Sequence, residues 1–347
     1  MNAKRVFLTA IILLCFSGLG MGPRRDVITV PGERLIWPPP PSLPKIEFIK
    51  NITKSEDIGV KKGFFKKIWE FIGGESLENQ IIRPFGIIVD EEGRLYITDS
   101  MSRSLHIFDL VKGWYDTIEG TKTERLKSPV SVATDKDGGI YISDSEKRRI
   151  YAYSKEGKYL KEIGADEMLQ RPTGIAVDKA AGILYVVDTL SNKICAYTTD
   201  GQFKFSFGER GTADGQFNYP TFITISRNGE LYVADTLNFR IQIFDKKGKF
   251  ISKFGRLGNG TGDFSNPRGI AIDSDGNIYV VDRLFESIQI FDKNGQLLLV
   301  FGKSGRKNGE FAIPAGITID KNDNIYIADS YNNRVQVFKY IKNGEIP

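Results

Sequence analysis

The sequence predicts an all-β fold, a six-bladed β-propeller, on three observations. A proline recurs at Pro84, Pro129, Pro172, Pro220, Pro267 and Pro314, 43 to 48 residues apart. An aspartate follows each of them: Asp99, Asp144, Asp188, Asp235, Asp282 and Asp329. Between these marks the apolar residues keep the spacing of strands, and no helical period appears inside any copy. A fixed period of this length denotes a repeat architecture.

The fourth copy shows the unit most clearly. Phe222 to Ile225 is a β-branched run, and Arg227-Asn228-Gly229 is a turn signal. Leu231 to Asp235 is a second strand, followed by a loop, Thr236 to Phe239. Arg240-Ile241-Gln242-Ile243-Phe244 alternates polar and apolar residues, the pattern of a half-buried strand. Asp245 to Gly248 turns the chain into a fourth strand, Lys249 to Gly255. One four-stranded sheet cannot cover its own two faces, so six such units stack radially into a ring. The inner strands, such as Val132-Ala133-Thr134 and Ile270-Ala271-Ile272, alternate large and small residues, as crowding near an axis requires.

The sixth copy ends at its third strand, Arg334 to Phe338. The segment Lys45 to Ile52 resembles the missing fourth strand and is expected to pair there, hiding an edge that would otherwise invite association. The expected organisation is therefore a secretory signal over 1–20, a proline-rich spacer over 21–44 and a closing strand over 45–59. An amphipathic helix and linker occupy 60–80, and the propeller fills 81–347. The signal reading rests on Lys4 and Arg5, the short apolar stretch Val6 to Leu14, and small residues at 17–20. It predicts an exported protein, periplasmic or extracellular, and leaves anchoring through residues 1–20 open. In the helix, Phe64, Phe65, Ile68, Trp69 and Ile72 share one face, which suits a plug over the propeller or a membrane surface.

Little in the composition points to catalysis. The one histidine, His106, lies on a third strand, so neither a histidine metal site nor a Ser-His-Asp arrangement is expected. Outside the signal, Cys195 stands alone on a strand, without a disulfide partner. Asp90, Asp135, Asp178, Asp273 and Asp320 close the inner strands, with Ser226 at the sixth place. Asp273 to Asn277 looks like part of a calcium loop, but the twelfth position is Leu284 rather than Glu. These side chains are read as hairpin builders. Asp99 to Asp329 are read as braces, paired across the loop with Arg149, Lys193, Arg240 and Arg334. No cofactor is expected. Without Lys4 and Arg5, the net charge of +5 falls to +3, too weak a balance to indicate nucleic acid.

The motif Pro-x-Gly-Ile-x-Ile-Asp, Gly-x-Ile-Tyr-Val-x-Asp, Asn-x-Arg-Ile-Gln-Ile-Phe resembles the NHL repeat. Copy six carries it nearly whole, in Pro314, Gly316, Asp320, Tyr326, Asp329, Asn332, Arg334, Gln336 and Phe338. The resemblance implies a six-bladed NHL propeller over residues 81 to 340. It is unspecific for function, because members bind proteins, RNA or small ligands and some relatives are enzymes. Copies one and five depart from it: Ser104 and Ser287 replace the arginine, and Phe285-Glu286 replaces the loop asparagine.

The expected binding residues lie in the loops of one face. Two positions after the second-strand aspartates stand Met101, Glu146, Leu190, Leu237, Leu284 and Tyr331. Arg103, Arg148, Phe239 and Phe285 are their neighbours, and Arg171, Arg210 and Arg268 come from loops opening on the same side. An apolar ring with an arginine rim suits a protein or peptide partner. The reading is a non-enzymatic binding or scaffold protein of the cell envelope. A small ligand and peripheral membrane contact stay open, nucleic acid is disfavoured, and the oligomeric state is left open. The alternatives are a propeller hydrolase, lyase or lactonase with a channel metal, and an RNA-binding NHL domain.

Overall fold

The tyrosines, valines and isoleucines of the second strands face two neighbours at once, and this sets the architecture. The computed structural model describes residues 34–60, 80–164 and 169–342. In blade four, Leu231 and Val233 pack toward blade three while Tyr232 and Ala234 pack toward blade five. Side chains alternate across a strand, so a strand buried on both faces is apolar at every position. Six hydrophobic clusters result, one at each seam between adjacent blades.

Every blade is an antiparallel sheet ordered from an inner to an outer strand. Blade one comprises Pro84–Val89, Arg94–Asp99, Ser104–Asp109 and Trp114–Ile118. Blade four comprises Pro220–Ile225, Leu231–Asp235, Arg240–Phe244 and Phe250–Phe254. The inner strands of blades six and one, Pro314–Ile319 and Pro84–Val89, are neighbours, so the ring is closed. Near the axis these strands approach backbone to backbone. A Cβ at Gly86 would lie 2.4 Å from the Val130 carbonyl oxygen, and one at Gly316 would lie 2.4 Å from that of Phe85. Glycine at this position is what lets the inner strands draw together.

Blade six takes its outer strand from the other end of the described chain. Ile46–Ile52 pairs antiparallel with Arg334–Tyr340, with Ile46 opposite Tyr340 and Ile52 opposite Val335. Part of the proline-rich segment also joins the sheet: Ile36–Trp37 pairs with Glu47 and Ile46. The Trp37 ring sits 5.7 Å from Phe301 of blade five and 5.8 Å from Phe338 of blade six, spanning their seam. A strand of two residues escapes periodicity, which needs a longer run to register.

The third strands differ from the half-buried pattern expected of them. Arg240 to Phe244 is buried throughout. Its polar residues turn inward: Arg240 donates to the carbonyls of Thr212, Ala213 and Gln216, and Gln242 donates to that of Gln216. The alternation thus marks a buried hydrogen-bonded face rather than a solvated one. The amphipathic helix expected within 60–80, with Phe64, Phe65, Ile68, Trp69 and Ile72, and the signal over 1–20 lie outside the described residues.

Removing residues 1–53 uncovers the edge of Arg334–Tyr340 and the apolar surface beneath Ile46, Ile52 and Trp37. The truncated protein is expected to melt at lower temperature and to self-associate in light scattering. A monomer that melts with the full chain would show that the pairing contributes nothing.

Candidate functional site

The site is built on the six second-strand aspartates, all of them buried. Each carboxylate accepts a backbone N–H from the loop that leads into its own blade. Asp99 accepts from Ile82 and Arg83, at 2.7 and 2.8 Å, and Asp188 from Gln170 and Arg171, at 2.9 and 2.7 Å. Asp144 takes Lys127 and Ser128, and Asp282 takes Ser265 and Asn266. Asp235 and Asp329 take Asn218 and Ala312. In blades one, two and five the same carboxylate also holds N–H groups of the loop that follows it, as with Met101 and Ser102 on Asp99. One buried charge therefore fixes two loops on one face of the ring.

The expected Asp–Arg brace forms in two of the four copies. Arg240 Nε lies 2.8 Å from Asp235, and Arg334 Nε lies 2.8 Å from Asp329. Arg149 instead pairs with Glu162 and donates to the Lys147 carbonyl, and Lys193 is exposed. Burial pushes the Asp235 and Asp329 carboxyls up despite their arginines, because both are wholly removed from water. At Asp99 burial acts the same way. There the His106 imidazole, 3.6 Å away, and the N–H groups of Ser102, Arg83 and Ile82 outweigh it and hold the carboxyl well below its usual range.

His106 is buried, with Nδ1 2.8 Å from the Tyr115 hydroxyl, and occupies the place that Gln242 and Gln336 fill in blades four and six. Burial pushes the Cys195 thiol up to about 11, which leaves it protonated and inert. The inner-strand carboxylates build hairpins: Asp273 accepts the N–H of Asp275 and Asn277 and the Tyr279 hydroxyl, and Asp320 repeats this with Asn322, Asn324 and Tyr326.

The loops held by the aspartates surround a pocket of about 280 Å³ at the mouth of the axial channel. Most of its lining comes from three repeat positions: the residue before the proline, the residue after it, and the residue after the second-strand aspartate. The floor is aromatic. Phe85 of blade one and Phe222 of the opposite blade stack across the axis, with centroids 5.7 Å apart and planes at 25°. Below them the channel is walled by aliphatic and threonine side chains of the inner strands.

Four arginines reach this mouth: Arg83, Arg171, Arg268 and Arg283. The Arg83 guanidinium lies 4.9 Å from the centre of the Tyr331 ring. Arg171 Nη1 donates to the Tyr219 hydroxyl at 2.7 Å, and Arg268 Nε donates to Asn266 Oδ1 at 2.9 Å. Among the described residues, no carboxylate pairs with any of the four, and none lines the pocket. Burial, with Arg283 and Arg171 close by, pushes the Arg268 guanidinium down to about 10. It still carries its charge at neutral pH.

Of the residues expected from sequence, Arg171, Arg268 and Tyr331 line the mouth. Met101, Leu190, Leu237 and Leu284 stand around it, between 44% and 58% exposed. Arg103, Arg148 and Arg210 are exposed farther out. Phe239 packs into the seam between blades four and five, and Phe285 is half-buried. Arg103, Arg148 and Phe239 share a left-handed backbone, with φ of 54° to 56°, as do Asn192, Glu286 and Asn333 at the same repeat position. Sequence reasoning passed over Arg83 and Arg283. The signal was present: Arg83 precedes Pro84 as Arg171 precedes Pro172, and Arg283 stands where the other five copies carry serine or threonine that line the mouth or clamp the next blade.

A family model described as a 6-bladed beta-propeller matches residues 118–207 and 212–288, and one described as the NHL repeat matches residues 311–338. The protein brain tumor of Drosophila melanogaster is 40% identical over 57 residues, which is 16% of this chain and 5% of that protein. The chain thus aligns with only a small part of that relative's length. The solved structure of virginiamycin B lyase from Staphylococcus aureus matches with a TM-score of 0.56 at 19% identity, over 76% of this chain and 97% of that one. An auxiliary nutrient binding protein from Bacteroides thetaiotaomicron matches with a TM-score of 0.60 at 17% identity, over 75% and 69%. Identities this low carry the fold and nothing about chemistry.

The Asp99 carboxyl is held low in the folded state, so its stabilisation is complete above its unfolded value, about pH 4, and fades as pH falls further. Asp99→Asn is expected to cost about 2–3 kcal/mol at neutral pH, since a buried acceptor of several N–H groups is weakened. The gap from wild type should close as melts are taken below about pH 4. A gap that stays constant into acid would show that the carboxylate is not held as the geometry implies.

Proposed function

The chain belongs to the six-bladed β-propellers built of NHL repeats, and on that premise we propose that it is a non-enzymatic binding protein. It engages a protein or peptide partner through the face that carries the channel mouth. The observation that carries this reading is the ring of exposed apolar side chains. Met101, Leu190, Leu237, Leu284 and Tyr331 come from five different blades and stand in water on loops anchored by buried carboxylates. Scattered surface leucines need no explanation, but a ring of them at one repeat position does. Rigid loops lose little entropy on docking, so such a ring is suited to be the apolar centre of an interface, with Arg103, Arg148 and Arg210 toward its polar edge.

Binding rather than catalysis is supported by the lining of the mouth. Among the described residues it offers guanidinium, hydroxyl and aromatic groups, and no imidazole, thiol or carboxylate that could take a proton at neutral pH. Export to the cell envelope is part of the same proposal and rests on Lys4, Arg5 and the apolar stretch to Leu14.

Leu237→Asp combined with Leu284→Asp tests the reading. Both side chains are exposed, so the melting temperature should move by less than the equivalent of about 0.5 kcal/mol per site. Cross-linking in the native cell envelope should lose the wild-type adducts. Unchanged adducts, or a large loss of stability, would assign these residues to packing instead.

A further inference from the structure

Four arginines gathered without counter-charge at a concave site repel one another, and a fold keeps such a cluster where a ligand supplies the missing charge. We propose that the mouth of the axial channel binds a compact oxyanion carrying two or more negative charges, as carboxylates or phosphate. This inference goes beyond the docking reading and holds whether or not that reading does.

The chain neutralises its structural arginines. Arg94, Arg240 and Arg334 each lie 2.8 Å from a buried aspartate. Arg83, Arg171 and Arg268 are treated differently, touching aromatic rings, hydroxyl and amide, and Arg283 has no carboxylate partner among the described residues. A tyrosine ring under a guanidinium orients its planar fork without cancelling its charge. The terminal nitrogens of Arg268 keep their donors uncommitted among the described residues.

Two of the four break the repeat at positions that face the axis. After the proline, the other blades carry Phe85, Val130, Thr173, Thr221 and Ala315, where blade five has Arg268. After the second-strand aspartate, they carry Ser100, Ser145, Thr189, Thr236 and Ser330, where blade five has Arg283. The hydroxyl of Thr189, Thr236 or Ser330 bonds a proline carbonyl of the next blade, at 2.7, 3.0 and 2.6 Å. Blade five gives up this clamp and places a charge at the mouth instead.

The arginines enter from blades one, three and five, alternate positions around the ring, so an anion on the axis is approached from three sides. The Phe85–Phe222 floor limits its depth. Convergence on a point suits a compact group, whereas a nucleic-acid backbone wants charge laid along a track.

Calorimetric titration of the full chain with citrate and with inorganic phosphate tests the site, with chloride as control. Citrate is expected to bind, and Arg268→Gln with Arg283→Gln should weaken it by at least about tenfold. The double variant without anion should melt at the same or a higher temperature, because like-charge repulsion is relieved. Arg83→Gln gives an independent check from blade one, and Arg256→Gln, at a surface pair with Asp263, should change nothing. A peptide with adjacent glutamates between leucines separates the sources. Tighter binding than citrate, lost on Leu284→Asp, places the anion on a partner; binding no tighter than citrate makes it a free small molecule. Absence of binding by citrate, phosphate and peptide alike, affinity indifferent to the arginines, or marked destabilisation of the anion-free variants would overturn the proposal. Citrate binding that survives beside failed cross-linking would sink the docking reading alone.

Discussion

Everything on the face that carries the channel mouth hangs from a buried carboxylate that accepts backbone N–H groups. Each second strand ends in an aspartate without solvent exposure, and each reaches back to the loop sixteen to eighteen residues earlier. A buried charge is costly unless satisfied, and hydrogen bonds to a charged acceptor contribute about 1.5–3 kcal/mol each. The aspartate is therefore stable only while the loops keep their shape. The loops in turn keep their shape because that charge must be satisfied. The mutual dependence makes a loop face as rigid as the sheets beneath it.

Rigidity of this kind explains how the face can hold groups that do not favour their surroundings. Exposed leucines and unneutralised arginines both tend to collapse onto whatever neighbour offers relief. Loops anchored at both ends deny them that freedom. Arg171 illustrates the point: its own N–H is bound by Asp188, while its guanidinium lies over Tyr219, at the mouth. Backbone and side chain of one residue thus serve the fold and the site separately. Blade five carries the largest departures from the repeat, in Arg268, Arg283, Glu286 and Ser287. Glu286 nonetheless accepts the N–H of Ile313, so the departure is accommodated by the next blade.

Much of this was legible in the residues. The prolines, aspartates and glycines recur with the blades, and the hairpin role of Asp273 and Asp320 follows from short-range chemistry that any asparagine or aspartate obeys at a turn. The polar third strands were misjudged because alternation says only that two faces differ, not that one is wet. Arg240 and Gln242 face a loop from the neighbouring copy, and no local pattern reveals that such a loop will cover them. Likewise the strand Ile36–Trp37 exists through its partner at Glu47 and its ring contacts across a seam, not through any period of its own.

By itself the chain determined how many blades there are, where each strand turns, and which carboxylates close the hairpins. These are events within a few residues of one another, repeated six times. Only the closed ring decided which side chains meet at the axis. Arg83 and Arg283 are two hundred residues apart in the chain and share one mouth because radial stacking brings equivalent positions of every blade to the same circle. A repeat fixes angle and height for each residue. The circle itself appears only when the first blade meets the last.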